Sequence, residues 1–184
     1  MAKLNRTFFF QKYKELFGNL TQAKVDSINF LLDKLDASTV IDRLSKYAYV
    51  LATIKWETAD TFKPITELGS DKYLKSKKYY PYIGRGYVQL TWSSNYKKFG
   101  DKLGIDLLGN PKLANDPETA WKVLELGMTN SKVNFTGVTL DKYFNDNTKD
   151  WTNARRIING TDSASAIGNI AKKFYDCLEY EETV

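Results

Sequence analysis

Val40-Ile41-Asp42-Arg43-Leu44-Ser45-Lys46-Tyr47-Ala48-Tyr49-Val50-Leu51-Ala52-Thr53-Ile54-Lys55-Trp56-Glu57-Thr58-Ala59 is a strongly apolar stretch whose spacing decides the fold class. Ile41, Leu44, Tyr47, Ala48, Leu51, Ala52 and Ile54 recur at helical intervals, which predicts a helix from Val40 to about Ala59. Upstream, Phe8, Phe9, Tyr13, Leu16 and Phe17 predict a helix over Asn5–Phe17, closed by Gly18-Asn19. Thr21 then caps a second helix, with Val25, Ile28, Leu31, Leu32 and Leu35 as its apolar stripe. Downstream, helices are predicted over Ser94–Leu103, from Asp116-Pro117 to about Asn130, over Leu140–Phe144 and Asp150–Ile158, and from Asp162 or Ser163 to about Tyr180. Two segments break the helical pattern. Thr61 to Gly86 carries Pro64, Gly69, Pro81, Gly84 and Gly86 among tyrosines, and reads as a long functional loop. Arg85 to Trp92 alternates, with Val88, Leu90 and Trp92 on one side and Tyr87, Gln89 and Thr91 on the other, and reads as a short extended segment. The expectation is a single, mainly α-helical domain over residues 1–184, with an N-terminal helix within residues 1–20.

Composition narrows the chemistry. The 184 residues include no histidine and one cysteine, Cys177. Histidine-based nucleophilic triads, histidine-ligated zinc, histidine acid–base catalysis and an internal disulfide are therefore excluded, and no cofactor or metal is implied. The 27 Lys+Arg exceed the 22 Asp+Glu by 5, but only five of them are arginines, so a nucleic-acid partner is disfavoured. The run Lys72, Lys75, Lys77 and Lys78 reads as a solvated loop; its alternative is attraction to an anionic surface. No stretch is long and apolar enough to insert into a membrane. The N-terminus lacks an apolar signal region, which predicts synthesis in the cytoplasm without a signal peptide.

Proton chemistry then falls to carboxylates. Glu57, beside Trp56 where the apolar helix meets the long loop, is a candidate for a desolvated acid, although alone it reads more readily as a surface glutamate paired with Lys55 or Lys63. Glu67 returns ten residues later in Pro64-Ile65-Thr66-Glu67-Leu68-Gly69. One carboxylate on a helix end and another on a loop returning over it is the arrangement glycosidases need. In Gly84-Arg85-Gly86-Tyr87-Val88-Gln89-Leu90-Thr91, Gln89 and Thr91 are spaced to share a polar face that could hold a sugar or a water.

Three blocks carry a resemblance: Tyr49-Val50-Leu51-Ala52-Thr53-Ile54-Lys55-Trp56-Glu57-Thr58; Tyr79-Tyr80-Pro81-Tyr82-Ile83-Gly84-Arg85-Gly86-Tyr87-Val88-Gln89-Leu90-Thr91-Trp92 with Asn95-Tyr96; and Arg156-Ile157-Ile158-Asn159-Gly160. Over about residues 20–174 the chain resembles glycoside hydrolase family 19, the chitinase-like enzymes, and within it the bacteriophage endolysin branch. The resemblance implies a lysozyme-like, two-lobed helical fold with the cleft between the lobes, and single-displacement inversion without a metal. It implies that Glu57 is the general acid, with Trp56 where most members have histidine. Glu67 is then the second carboxylate and Thr91 orients the water, with Asp60 and Asp71 as competitors for the base. Gln89, Asn95 and Asn159, together with Arg85 and Tyr87, are the expected substrate-binding residues. The expected substrate is the peptidoglycan glycan strand, cut by a monomer after release onto the bacterial wall. Chitin hydrolysis and non-catalytic glycan binding are the alternatives.

Overall fold

The computed structural model describes residues 2–182. Its elements run α1 (Arg6–Phe17), α2 (Gln22–Ala37), α3 (Leu44–Glu57), β1 (Ile65–Thr66), α4 (Asp71–Lys75), β2 (Arg85–Gly86), α5 (Ser93–Leu103), α6 (Pro117–Thr129), α7 (Leu140–Tyr143) and α8 (Ala164–Asp176). Short 3-10 turns at Pro111–Asn115 and Asn153–Ile157 complete a mainly helical, lysozyme-like domain.

The Thr21 and Asp116 caps read from sequence are in place, and Asn5 adds a third. The side chains of Asn5, Thr21 and Asp116 accept from the backbone N–H of Phe8, Lys24 and Thr119, and Pro117 occupies the first turn of α6. In α2, Ile28, Leu31, Leu32 and Leu35 are fully buried, and each such side chain contributes roughly 1.5–3 kcal/mol. Every residue of α3 from Ser45 to Ile54 is buried, including Lys46, whose ammonium is held by Asp42 and Asp141. A helix apolar on all sides belongs at the centre of a domain. Its main neighbour is α8, whose Gly168 lies against the Trp151 carbonyl, where a Cβ would sit 2.9 Å from the oxygen, so that α8 also packs closely on the chain leading into the Asn153–Ile157 turn.

Four expectations need correction. First, α3 begins at Leu44, not Val40: the Ser38 hydroxyl accepts from the Val40 and Ile41 N–H groups and holds a turn there, so Ile41 is buried without being helical. Second, the 61–86 segment is not one loop; β1 and β2 pair antiparallel, Ile65 with Gly86 and Thr66 with Arg85, with α4 between them. Third, Arg85 to Trp92 is not extended. The chain folds back so that the Arg85 N–H donates to the Leu90 carbonyl and the Leu90 N–H to the Arg85 carbonyl, at 3.1 and 2.9 Å. Gln89 and Trp92 take φ of +58° and +75°, which destroys the two-sided alternation: Tyr87, Val88 and Leu90 are all buried. Fourth, α8 stops at Asp176, and the following residues pair with the N-terminus through Asn5 N–H to the Glu179 carbonyl and Glu181 N–H to the Lys3 carbonyl.

Candidate active site

Burying α3 from Ser45 to Ile54 carries Glu57, its last residue, to the edge of the core. There it lines a cavity of about 340 Å³ with Gln89, Thr91, Asn95, Asn159 and Arg155. The Glu57 side chain is 15% exposed and its Oε1 accepts from Arg155 Nη1 at 2.6 Å; Arg155 is 5% exposed and is also tied through Nε to the Asp162 carbonyl at 3.1 Å. The expected partners of Glu57 are engaged elsewhere or turned away. Lys55 bonds Asp60, and Trp56 is 41% exposed on the other side, against Ala59, Asp60 and Ile170.

The tight 85–90 turn builds the opposite wall. The Gln89 amide donates to the Ile65 carbonyl at 3.0 Å, fastening the turn to β1. Thr91 Oγ1 donates to the Gln89 carbonyl at 2.8 Å, which commits the hydroxyl proton and leaves the oxygen as an acceptor for a water. Asn95 Nδ2 donates to the Thr91 carbonyl at 3.0 Å, and Asn159 Oδ1 accepts from the Gly160 N–H at 2.9 Å. The wall is thus a set of pre-oriented amides and one hydroxyl.

Glu67 hangs on the strand next to this wall and is not part of the cavity lining. Tyr79 Oη donates to Oε1 at 2.8 Å and the Gly84 N–H to Oε2 at 3.1 Å, so each oxygen has a fixed donor. Tyr79 in turn meets Trp92 edge-on at 5.1 Å between ring centroids, and the half-exposed Trp92 lines the cavity. Burial first, and then the Glu67 carboxylate, push the Tyr79 phenol up to about 12, so it remains a donor. The competing carboxylates are placed differently. Asp60 is clasped by Lys24 and Lys55, and Asp71 is almost fully exposed on α4.

The structure therefore gathers Glu57, Gln89, Thr91, Asn95 and Asn159 into one cavity and sets Glu67 beside it. Arg85 and Tyr87 do not join them. Tyr87 is 2% exposed, against Phe30 and Phe62, and Arg85 braces the turn through the Pro81 carbonyl and the Tyr96 hydroxyl. Sequence reasoning missed Arg155, Phe135 and Tyr79. Arg155 carried one signal, an arginine in a predicted helix next to the Arg156–Gly160 block; Phe135 had none, because tertiary contacts with Phe99, at 5.0 Å between centroids, and with Gly127 bring it to the cavity.

Comparison with known proteins adds the lineage. Residues 47–169 match the family described as chitinase class I, glycoside hydrolase family 19. The chain belongs to that family. Among curated family relatives, endochitinase 1 of Theobroma cacao is 52% identical over 42 residues, 22% of this chain and 13% of its own length. Chitinase 8 of Oryza sativa subsp. japonica is 57% identical over 35 residues, 19% of this chain and 13% of its own. The matches to these two family 19 relatives thus span only about an eighth of their length. Among solved structures, chitinase C from Streptomyces griseus HUT6037 superposes with a TM-score of 0.64 at 23% identity, covering 92% of this chain and 76% of that one. That likeness shows a shared fold.

Proposed function

We propose that this protein is an inverting glycoside hydrolase that cleaves β-1,4 bonds in a polymer of N-acetylated sugars. The observation that carries the reading is Glu57, presented by a buried helix to a cavity walled by oriented amides and a hydroxyl, with a second, doubly hydrogen-bonded carboxylate on the neighbouring hairpin. Glu57 protonates the glycosidic oxygen. Glu67 takes the proton of a water whose hydrogen is accepted by Thr91. An ionised carboxylate with two fixed donors suits the base, and an inverting pair stands roughly 6.5–9.5 Å apart to admit the water.

For the substrate we favour the glycan strand of bacterial peptidoglycan, cut by an endolysin of the bacteriophage type that reaches the wall after release from the cytoplasm. Lys72, Lys75 and Lys78 support this: all are exposed on or beside α4, five to eleven residues of chain from Glu67, and peptidoglycan is acidic where chitin is neutral. Chitin is the second reading, favoured by the names of the endochitinase relatives. Mass spectrometry of fragments from purified peptidoglycan and from colloidal chitin, with early proton NMR of the new anomer, tests all of this. Muropeptides bearing a new reducing end of inverted configuration are expected. Chitin fragments alone would move the substrate to the second reading, a retained anomer would remove the water-activating role of Glu67, and binding without new reducing ends would leave a glycan-binding module.

A further inference from the structure

Two arginines are buried to a similar degree, Arg155 at 4% and Arg85 at 8% exposed, but only one has a counter-charge. Arg155 pairs with Glu57. Arg85 Nη1 donates to two neutral acceptors, the Pro81 carbonyl at 3.0 Å and the Tyr96 hydroxyl at 3.1 Å, and among the described residues no carboxylate forms an ion pair with it. A buried guanidinium without an anion is costly, and its surroundings favour any anion that can approach.

Arg85 lines a cavity of about 370 Å³ that shares no residue with the one at Glu57. Lys75 and Lys112 line it too, with Thr66, Asn115 and Tyr80. Lys112 is exposed and forms no ion pair among the described residues. The single acid present, Asp71, is almost fully exposed and reaches Lys75 only at 3.8 Å. Three cations face one loosely held carboxylate.

We propose that this cavity is an accessory site for a carboxylate carried by the glycan. The planar guanidinium fork matches a carboxylate, and two mobile ammonium groups at the rim draw the anion in. Thr66 adjoins Glu67 in the chain, so a group bound here sits on the hairpin that bears the proposed base. A peptidoglycan strand supplies such a group, as the lactyl carboxylate of muramic acid where no peptide stem is attached and as the stem's own carboxylates elsewhere, and chitin does not. In that respect the inference rests on the peptidoglycan reading.

Titration of the full chain, followed by the backbone amide resonances of Lys112 and Asn115 in heteronuclear NMR, tests it with three probes: N-acetylmuramic acid, N-acetylglucosamine and inorganic phosphate. N-acetylmuramic acid should move both resonances saturably, and less so at high salt, while N-acetylglucosamine leaves them in place. A Lys75→Gln/Lys112→Gln double variant, altering two exposed side chains and sparing the buried Arg85, should weaken that binding about tenfold with the rest of the spectrum unchanged. Equal shifts from both sugars, an unaltered affinity in the double variant, or tighter binding of phosphate than of the acid would overturn the proposal. Because the readout is binding, a chain that binds the acid but digests only chitin would cost the substrate reading and not the site. Digestion of peptidoglycan without these shifts would remove the site alone.

Discussion

Glu57 and Glu67 are supported in opposite ways. Glu57 has one oxygen on a charged partner, Arg155, while both oxygens of Glu67 rest on neutral donors, a phenol and a backbone N–H. Glu57→Gln preserves shape and can still meet Arg155 but has no proton to give the leaving oxygen. Its turnover should fall by about 10²–10⁴-fold with folding intact, read as initial rates on peptidoglycan or chitin oligomers beside a melting curve. Near-normal turnover would end the carboxylate mechanism. Tyr79→Phe removes a single donor from Glu67. A hydrogen bond to a charged group contributes roughly 1.5–3 kcal/mol, so kcat should drop about ten- to a hundredfold. KM should stay within about twofold, because Tyr79 is not in the cavity lining. A loss confined to KM would make Tyr79 a sugar contact instead of a support for the base.

At the scale of elements, the cavity depends on fits between helices and loops. Gly127 in α6 is where the Phe135 ring lodges, since a Cβ there would come 2.2 Å from it, and Phe135 forms part of the cavity wall. Gly127→Ala should displace the ring, lower stability by about 1–3 kcal/mol and raise KM, seen together in denaturant unfolding and kinetics. Unchanged stability would mean the loop repacks freely. Asp60 binds α2 to the end of α3 through Lys24 and Lys55. Burial opposes its charge, but the two lysines outweigh burial and hold its carboxyl below the ordinary 3.8. A depressed acid stabilises the fold at pH above its unfolded value and loses that contribution as pH falls through the lowered one. Asp60→Asn should therefore lower Tm at neutral pH, with the difference from wild type shrinking from about pH 3.8 downward and vanishing only below the lowered value, and should leave turnover nearly intact. An equal Tm deficit at every pH would assign the loss to packing. These elements also mark what the sequence could disclose. Helices α2 and α6 were legible because Thr21 and Asp116-Pro117 are caps that act locally, and α1 because its apolar spacing stops at Gly18. The 85–92 turn was not, because Gln89 and Trp92 hold positive φ without being glycine, a strain that only the surrounding hydrogen bonds sustain. The place of Glu57 at the end of an apolar helix was legible, but that place alone read as a surface glutamate, and only the second carboxylate and the family resemblance singled it out; its pairing with Arg155, 98 residues away, depends on how α3 meets the 3-10 turn at Asn153–Ile157.

Across the whole molecule, charge and fold divide the work of reaching a substrate from that of cutting it. The excess of 27 basic over 22 acidic side chains is not spread evenly through ion pairs. Lys24, Lys34, Lys46 and Lys55 are spent on Asp60, Glu118, Asp42 and Asp141, joining helices to each other, and Lys77 lies over the Tyr73 ring. Lys72, Lys78 and Lys112 form no ion pair among the described residues and sit on the exposed side of the hairpin lobe. The Glu57 cavity, by contrast, is lined by uncharged side chains, three amides among them, apart from its own ion pair. Long-range attraction should therefore govern encounter with an insoluble anionic wall but not the chemistry on a bound sugar. Screening contracts from about 30 Å at 0.01 M salt to about 3 Å at 1 M, across the distances over which free surface lysines act. Clearance of purified peptidoglycan should fall steeply over that range. Hydrolysis of a short neutral chitooligosaccharide, which needs no recruitment, should change by less than about twofold. Parallel assays across the salt series decide the point: if both substrates lose rate together, salt is acting on the Glu57–Arg155 site or on the fold, and the lysine surface has no part in bringing the wall to the cleft.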